Sequence, residues 1–361
     1  MGKKVLVVDD SALMRRVACD IIKSDGRYDI PDLGHNGEDA LKLARRNKYD
    51  AIVLDVNMPL MDGIEFLKQL KKEGLKERVM MFSTTTGEGT KQTIDALELG
   101  ALDFIKKPDN FKDASGKEFT EEFLKKLAVV SGAGDHMAPE KAGADIHPSS
   151  TAVKTHNITL RPRAMVTGEK IVAIASSTGG PKALQFVIPL LPANLDAPVV
   201  LVQHMPAGFT KSLAERLNTL GKIAVKEAED GDILEKGHVY IAPGGKHMKL
   251  AKAPGNRTRI FFSDEPAREG VKPAANYMYE SLSDTSYAEV CCVVLTGMGA
   301  DGTQGIVNLE KSKKLHIISQ DEASCAVYGM PKAIALSGLV NEVLPLTKIA
   351  DAITKEIGVT K

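Results

Sequence analysis

The sequence predicts two α/β domains, each built on a mostly parallel sheet. Three observations carry this. Short apolar, β-branched runs alternate with stretches of helical spacing from residue 4 to about 130, and again from residue 171 to 357. Several runs are apolar at every position, as strands buried on both faces must be. Polar residues with chemical capacity follow directly on those runs, where the carboxyl ends of parallel strands line one crevice.

In the first unit, Lys4–Val8 is a strand and residues 11–24 form a helix with Leu13, Met14, Val17, Ala18, Ile21 and Ile22 at helical spacing. A weak strand (Ile30–Leu33), a helix (Asn36–Asn47), a strand (Ala51–Leu54) and a helix (Gly63–Glu73) follow. Val79–Phe82, the helix Gly87–Leu99, the strand Phe104–Ile105 and a closing helix Thr120–Val130 complete it. Residues 131–156 are rich in Gly, Ala, Pro, Ser and His and read as a flexible linker; His136, His147 and His156 are irregularly spaced, as in a solvated segment. The expected divisions are 1–125, a linker 126–167, and 168–361.

In the second unit, strands are expected at Ile171–Ala175, Pro198–Val202, Cys291–Leu295 and His316–Ile318. Helices are expected at Pro181–Val187, Thr210–Leu217, Pro273–Leu282, Gly302–Lys311, Pro331–Ser337 and Leu346–Ile357. The short runs His238–Ile241, His247–Ala251 and Arg259–Phe262, with turn residues between them, suggest a β-hairpin insertion.

Composition bounds the function. The 361 residues are 43% apolar and 26% charged with zero net charge, so nothing favours a nucleic-acid partner or an anionic membrane surface. Cys19, Cys291, Cys292 and Cys325 lack metal-ligand spacing and read as thiols of a reducing compartment. No signal-peptide core is visible and no apolar run approaches membrane-spanning length, so a cytoplasmic protein without membrane insertion is expected.

Four strand ends of the first unit carry five polar residues: Asp9 and Asp10, Asp55, Thr84, and Lys107 before Pro108. Three carboxylates at one crevice suit a hard cation such as Mg²⁺, and a lysine beside them offsets their repulsion. One carboxylate can then accept a phosphoryl group. Asp9-Asp10-Ser, Leu54-Asp55-Val-Asn57-Met58-Pro59 with Asp62-Gly63, Thr84 and Lys107-Pro108 together resemble the receiver domain of two-component response regulators. The resemblance implies a flavodoxin-like (βα)5 domain phosphorylated at Asp55 by a histidine kinase. It implies Mg²⁺ held by Asp9, Asp10, Asp55 and the backbone carbonyl of Asn57. It also implies a switch made of Thr84, Lys107 and Phe104. Thr84 has Ser83, Thr85 and Thr86 as neighbours, so the switch hydroxyl is fixed only to within a residue.

Three strand ends of the second unit lead into Ser176-Ser177-Thr178-Gly-Gly, Gln203-His204-Met-Pro, and Thr296-Gly-Met298-Gly-Ala-Asp301-Gly. A hydroxyl, an imidazole and a carboxylate at one sheet edge can form a nucleophile, its base and the base's orienter. Taken singly, Ser177 and Asp301 read as helix caps and His204 as structural. These motifs, with Tyr240-Ile-Ala-Pro-Gly244-Gly-Lys-His247 and Gln320-Asp-Glu-Ala-Ser-Cys325, resemble the catalytic domain of the CheB family of chemotaxis methylesterases. The resemblance implies a doubly wound, mostly parallel α/β domain that needs no cofactor. It further implies hydrolysis of glutamate methyl esters and deamidation of glutamines on chemoreceptor cytoplasmic helices. Ser177 is then the nucleophile, His204 its base and Asp301 the orienter, with the Met298 N–H in the oxyanion hole. Two rival readings are an anion-binding module around Ser177-Thr-Gly-Gly and a receiver-regulated esterase or adaptor acting on a non-receptor signalling protein. Gly270-Val-Lys272-Pro273-Ala-Ala-Asn276 and Lys332 depart from the family's usual pattern.

Overall fold

The structure is a computed structural model that describes residues 2–108, 116–133, 160–162 and 167–360. His136, His147 and His156, and most of the expected linker, lie outside the described residues.

The first unit runs β1 (Lys3–Val8), α1 (Ala12–Lys23), β2 (Tyr28–Gly34), α2 (Gly37–Arg46), β3 (Ala51–Asp55), α3 (Gly63–Lys72), β4 (Val79–Ser83), α4 (Gly87–Leu99), β5 (Asp103–Lys106) and α5 (Lys117–Ser131). The strands form one parallel sheet in the order β2-β1-β3-β4-β5. Four helices start where a short polar side chain accepts the backbone N–H three residues on: Ser11, Asn36, Asp62 and Thr86 cap α1 to α4. α1 and α5 cover one face of the sheet through Ile22, Phe123 and Leu127; α2 to α4 cover the other through Ala40, Phe66 and Ile94. Helix α5 continues unbroken through residue 125.

The second unit runs β6 (Lys170–Ser176), α6 (Gly180–Val187), β7 (Val199–Gln203), α7 (Phe209–Leu220), β8 (Ala224–Glu227), β9 (His238–Ile241), β10 (His247–Ala253), β11 (Arg257–Ser263) and α8 (Ala275–Ser281). It continues through β12 (Glu289–Val294), α9 (Thr303–Leu309), β13 (Lys314–Gln320), α10 (Met330–Leu336), β14 (Glu342–Leu344) and α11 (Leu346–Ile357). Seven strands form a sheet in the order β14-β13-β12-β6-β7-β9-β8, with every neighbouring pair parallel. Strands β6, β7 and β12 are buried along their length, which is why they read as unbroken apolar runs. From β6 the chain first builds outward through β7 and then returns to the other side at β12, so the strand order reverses between β6 and β12. A crevice opens at such a reversal.

Two sequence expectations change. Only β10 and β11 form the antiparallel hairpin. His238–Ile241, grouped with them in the sequence, instead pairs in parallel with β7 and β8 inside the main sheet. Strands β8 and β14 escaped notice because both lie at sheet edges, where the apolar signature fades: of Ala224–Glu227 only Val225 is buried.

The two units pack against each other through α4 and β5 on one side and α6 and α7 on the other. The Phe104 ring stacks on Phe209 with centroids 4.4 Å apart, and both are fully enclosed. Such a pair adds about 0.5–1.5 kcal/mol beyond the burial of its area. The hydroxyls of Thr90 and Ser212 share a buried hydrogen bond of 2.8 Å. Arg216 donates to Glu98 at 2.7 Å, and Lys91 lies 3.7 Å from Glu215, both toward solvent.

Candidate active site

Parallel pairing places Ser176 opposite Gln203 and Ala175 opposite Val294. Ser177 and His204 each stand one residue past those strand ends, and the loop after β12 starts from the same rim. The three sequence-predicted loops therefore meet at the reversal crevice. Gly297 brings the third loop onto the first: a Cβ there would lie 2.8 Å from the Ser177 Cβ.

His204 Nε2 lies 2.8 Å from Asp301 Oδ2. Asp301 is buried, and its carboxylate also accepts the backbone N–H groups of Ala275 at 2.5 Å and Asn276 at 3.0 Å. Burial alone would push this carboxyl up. The His204 hydrogen bond, the imidazole's charge and the two N–H donors outweigh it and hold Asp301 below the ordinary aspartate range. Asp301 caps nothing in its own segment; Gly302 stands at the N-cap of α9, which has no side-chain cap. With Nε2 committed to Asp301, Nδ1 is the ring nitrogen left to exchange a proton.

The two neighbouring serines separate by role. Ser176 is the last residue of β6, fully buried, and its hydroxyl donates to Gln203 Oε1 at 2.8 Å. Ser177 is half-buried, its N–H is fixed to the Thr296 carbonyl, and its hydroxyl caps neither α6 nor any other helix. Among the described residues the Ser177 hydroxyl forms no hydrogen bond with His204. Catalytic hydrogen bonds in ligand-free enzymes commonly close only around substrate. The Met298 N–H likewise donates to no group among the described residues.

The residue after Ser177 meets the first unit. Thr178 Oγ1 donates to Asp103 Oδ2 at 2.5 Å, and Lys126 from α5 donates to the Phe104 carbonyl at 2.7 Å while lying 3.4 Å from Asp103 Oδ1. Nothing in the sequence marks Asp103, and Thr178, although it lies in the Ser176-Ser177-Thr178 motif, carries no sign there of a contact with the first unit.

At the rim of the first sheet, Lys107 Nζ lies 2.8 Å from both Asp9 Oδ2 and Asp55 Oδ2. Lys107, not Lys106, is thus the lysine of this cluster. Oxygen atoms of Asp9, Asp10 and Asp55 fall within 4.8 Å of one another. Desolvation dominates both buried carboxyls: it raises Asp9 and, with the Asp9 charge adding to it, pushes Asp55 up to about 6 despite Lys107. An all-oxygen donor set whose charged form is held at a cost fits a hard divalent cation. Asn57 is exposed beside it, its N–H 3.4 Å from Asp55 Oδ1. The Thr84 hydroxyl sits 3.4 Å from that of Thr86, whereas Ser83 is buried and its hydroxyl bonds Thr93. Phe104 lies in the contact between the units.

Comparison with known proteins decides the family. The CheB methylesterase family model matches residues 172–353 and the response regulator receiver domain model residues 5–115. The chain belongs to the CheB methylesterase family. A protein-glutamate methylesterase/protein-glutamine glutaminase of Halalkalibacterium halodurans is 42% identical over 98% of both chains. The protein of that name in Bacillus subtilis is 41% identical over 97% of each. The crystal structure of the Thermotoga maritima CheB methylesterase catalytic domain is 42% identical, covers 53% of this chain and 99% of its own, and superposes with a TM-score of 0.50. This CheB-family chain thus carries a receiver domain ahead of its methylesterase domain, as the resemblance in the sequence implied. Among its described residues, no helix is long and apolar enough to cross a membrane.

Proposed function

We propose that this protein is a phosphorylation-activated protein-glutamate methylesterase and protein-glutamine glutaminase. Its substrates are the cytoplasmic helices of chemoreceptors, and it works in the cytoplasm in adaptation. Full-length relatives at about 40% identity bearing that name support the activity. The observation that carries the chemistry is the buried Asp301 carboxylate, anchored by two backbone N–H groups, gripping the imidazole on the rim that Ser177 shares.

In this reading the Ser177 Oγ attacks the ester carbonyl while His204 Nδ1 takes its proton. Asp301 keeps the other ring nitrogen protonated and stabilises the imidazolium that forms. The Met298 N–H donates to the oxyanion. His204 returns the proton to the departing methanol, or to ammonia when the substrate is glutamine. A water molecule, deprotonated by the same imidazole, then frees the glutamate and regenerates Ser177.

Asp55 is the phosphoacceptor and a histidine kinase the donor. Asp9, Asp10, Asp55 and the Asn57 carbonyl would hold Mg²⁺, which would supply positive charge beside Asp55. Lys107 pairs with the phosphoryl oxygens. Thr84 follows the change, with Ser83 one residue away, and Phe104 passes it to the domain contact. The receiver with α5 whole through Ser131, the segment that follows it up to residue 167, and the catalytic unit 168–361 are the working parts. The catalytic unit uses no cofactor, and neither nucleic acid nor membrane insertion is involved. Docking through Phe104, Thr90 and Asp103 puts the receiver against Thr178, next to the nucleophile, which supports a gate that phosphorylation opens.

Labelling by a serine-directed phosphonate tests the chemistry. Wild type should be labelled at one site, faster in the presence of a small-molecule phosphodonor, and Ser177→Ala not at all. Undiminished labelling of Ser177→Ala would overturn the reading.

A further inference from the structure

Between the nucleophile and the base lies a side chain to which the mechanism gives no task. Gln203, the last residue of β7, is fully buried. Its amide nitrogen donates one N–H to the Ser177 carbonyl at 3.0 Å and the other to the His204 carbonyl at 3.1 Å. Its amide oxygen accepts the Ser176 hydroxyl at 2.8 Å. The orientation of the amide is forced: two carbonyls can be faced only by the NH₂ group, since a flipped amide would set three oxygens together.

The surroundings are shaped for this amide. A Cβ on Gly180 would fall 2.0 Å from the Gln203 Oε1, so only glycine leaves the space. On the far side of the same residues, Ser177 N–H is held by the Thr296 carbonyl and His204 N–H by the Ser176 carbonyl. Strand pairing itself stops at Ser176 and Gln203. Beyond that pair, the nucleophile loop and the base loop are joined by the amide bridge and the His204 N–H bond to the Ser176 carbonyl, while the Ser177 N–H ties the nucleophile loop to the third loop.

We infer that Gln203 is a positioning residue for catalysis: one amide fixes the backbones of Ser177 and His204 relative to each other and so sets the separation of Oγ from Nδ1. The inference rests on Ser177 and His204 being nucleophile and base. Small misplacements of reacting groups cost rate steeply, with about 1 Å capable of a 100-fold loss. Binding of the receptor segment does not involve this buried amide. Its removal should therefore act on kcat and leave KM in place.

The test uses the full chain with a phosphodonor and compares Gln203→Met, Ser176→Ala and Ser177→Ala. Gln203→Met keeps the volume and removes both donors. It should lower kcat by about 30- to 100-fold, leave KM within about twofold, and slow the phosphonate labelling rate constant in parallel while the fraction of labelled chains stays high. Ser176→Ala removes only the acceptor-side contact and should change kcat by less than about threefold. A merely structural role would instead reduce the labelled fraction and leave the rate constant of the labelled chains unchanged; that result, or a wild-type kcat in Gln203→Met, overturns the positioning role. Persistent labelling and turnover in Ser177→Ala would sink the underlying assignment of nucleophile, an outcome separable from the other two.

Discussion

The two units place their chemistry in the same location, the carboxyl rim of a parallel sheet, yet treat buried carboxylates in opposite ways. At the receiver rim Asp9 and Asp55 stand against each other with one lysine between them, and burial raises both. At the catalytic rim Asp301 stands alone, and two N–H groups and an imidazole bring it below its ordinary range. In the first arrangement one lysine leaves the carboxylates short of compensating charge, which accords with the cation and phosphoryl group proposed there. In the second, the chain's own donors compensate the carboxylate. What separates the proposed input site from the proposed reaction site is how fully the protein's own donors satisfy the carboxylate.

The strongest way to break this comparison is at Asp301. Asp301→Asn keeps the shape but presents an amide to His204 Nε2, which misdirects the tautomer. Turnover should fall by about 10³- to 10⁴-fold, measured as methanol release at saturating substrate. Because the folded carboxyl is depressed, its contribution to stability is present above the ordinary aspartate pKa of 3.8 and is lost as pH falls through the lower folded value. Asp301→Asn should therefore flatten that part of the acid denaturation curve.

Next in size is the contact between the units. Phe104→Ala removes one ring of the stacked pair. It should raise methanol release without phosphodonor by about tenfold, equivalent to about 1.4 kcal/mol of lost docking. A basal rate equal to wild type would detach Phe104 from the gate.

The receiver rim is sharpened by pH. Asp55 is raised to about 6, so in the metal-free protein it favours the folded state below its unfolded pKa, an advantage lost as pH rises through about 6. Mg²⁺ requires the ionised form and must displace that proton. Affinity measured calorimetrically should fall about tenfold per unit below pH 6 and level off above it, and added Mg²⁺ should restore stability at pH 7. Asp55→Asn should remove most of that pH dependence.

The smallest effect is expected at Arg216→Ala. It breaks the partly exposed pair with Glu98, and such pairs are worth at most about 1 kcal/mol. Basal turnover should rise by no more than about fivefold, and less at high salt.

How much of this was legible in the sequence follows from the same physics. Buried strands declared themselves through unbroken apolar runs, and rim residues through their position after those runs; Ser177, His204, Asp301, Asp55 and Lys107 all stand where that pattern placed them. Edge strands β8 and β14 did not, because an edge buries too little to impose a pattern. Ser176 and Ser177 were told apart in the sequence only by resemblance; in the fold the former spends its hydroxyl on Gln203. Asp301 is held by backbone N–H groups of Ala275 and Asn276, which any residue but proline would supply there, so the departures from the family pattern at 270–276 leave that anchor intact. The contact of Asp103 with Thr178 joins residues 75 apart in the chain, and only the docked domains bring them together.

The most direct measurement is methanol release from a methyl-esterified chemoreceptor fragment, with and without a small-molecule phosphodonor, in wild type, Asp55→Asn and Ser177→Ala. The expected result is release stimulated by the donor in wild type, a low unstimulated rate in Asp55→Asn, and none in Ser177→Ala. Equal rates with and without donor in wild type, or release that survives in Ser177→Ala, would contradict a receiver-gated serine hydrolase.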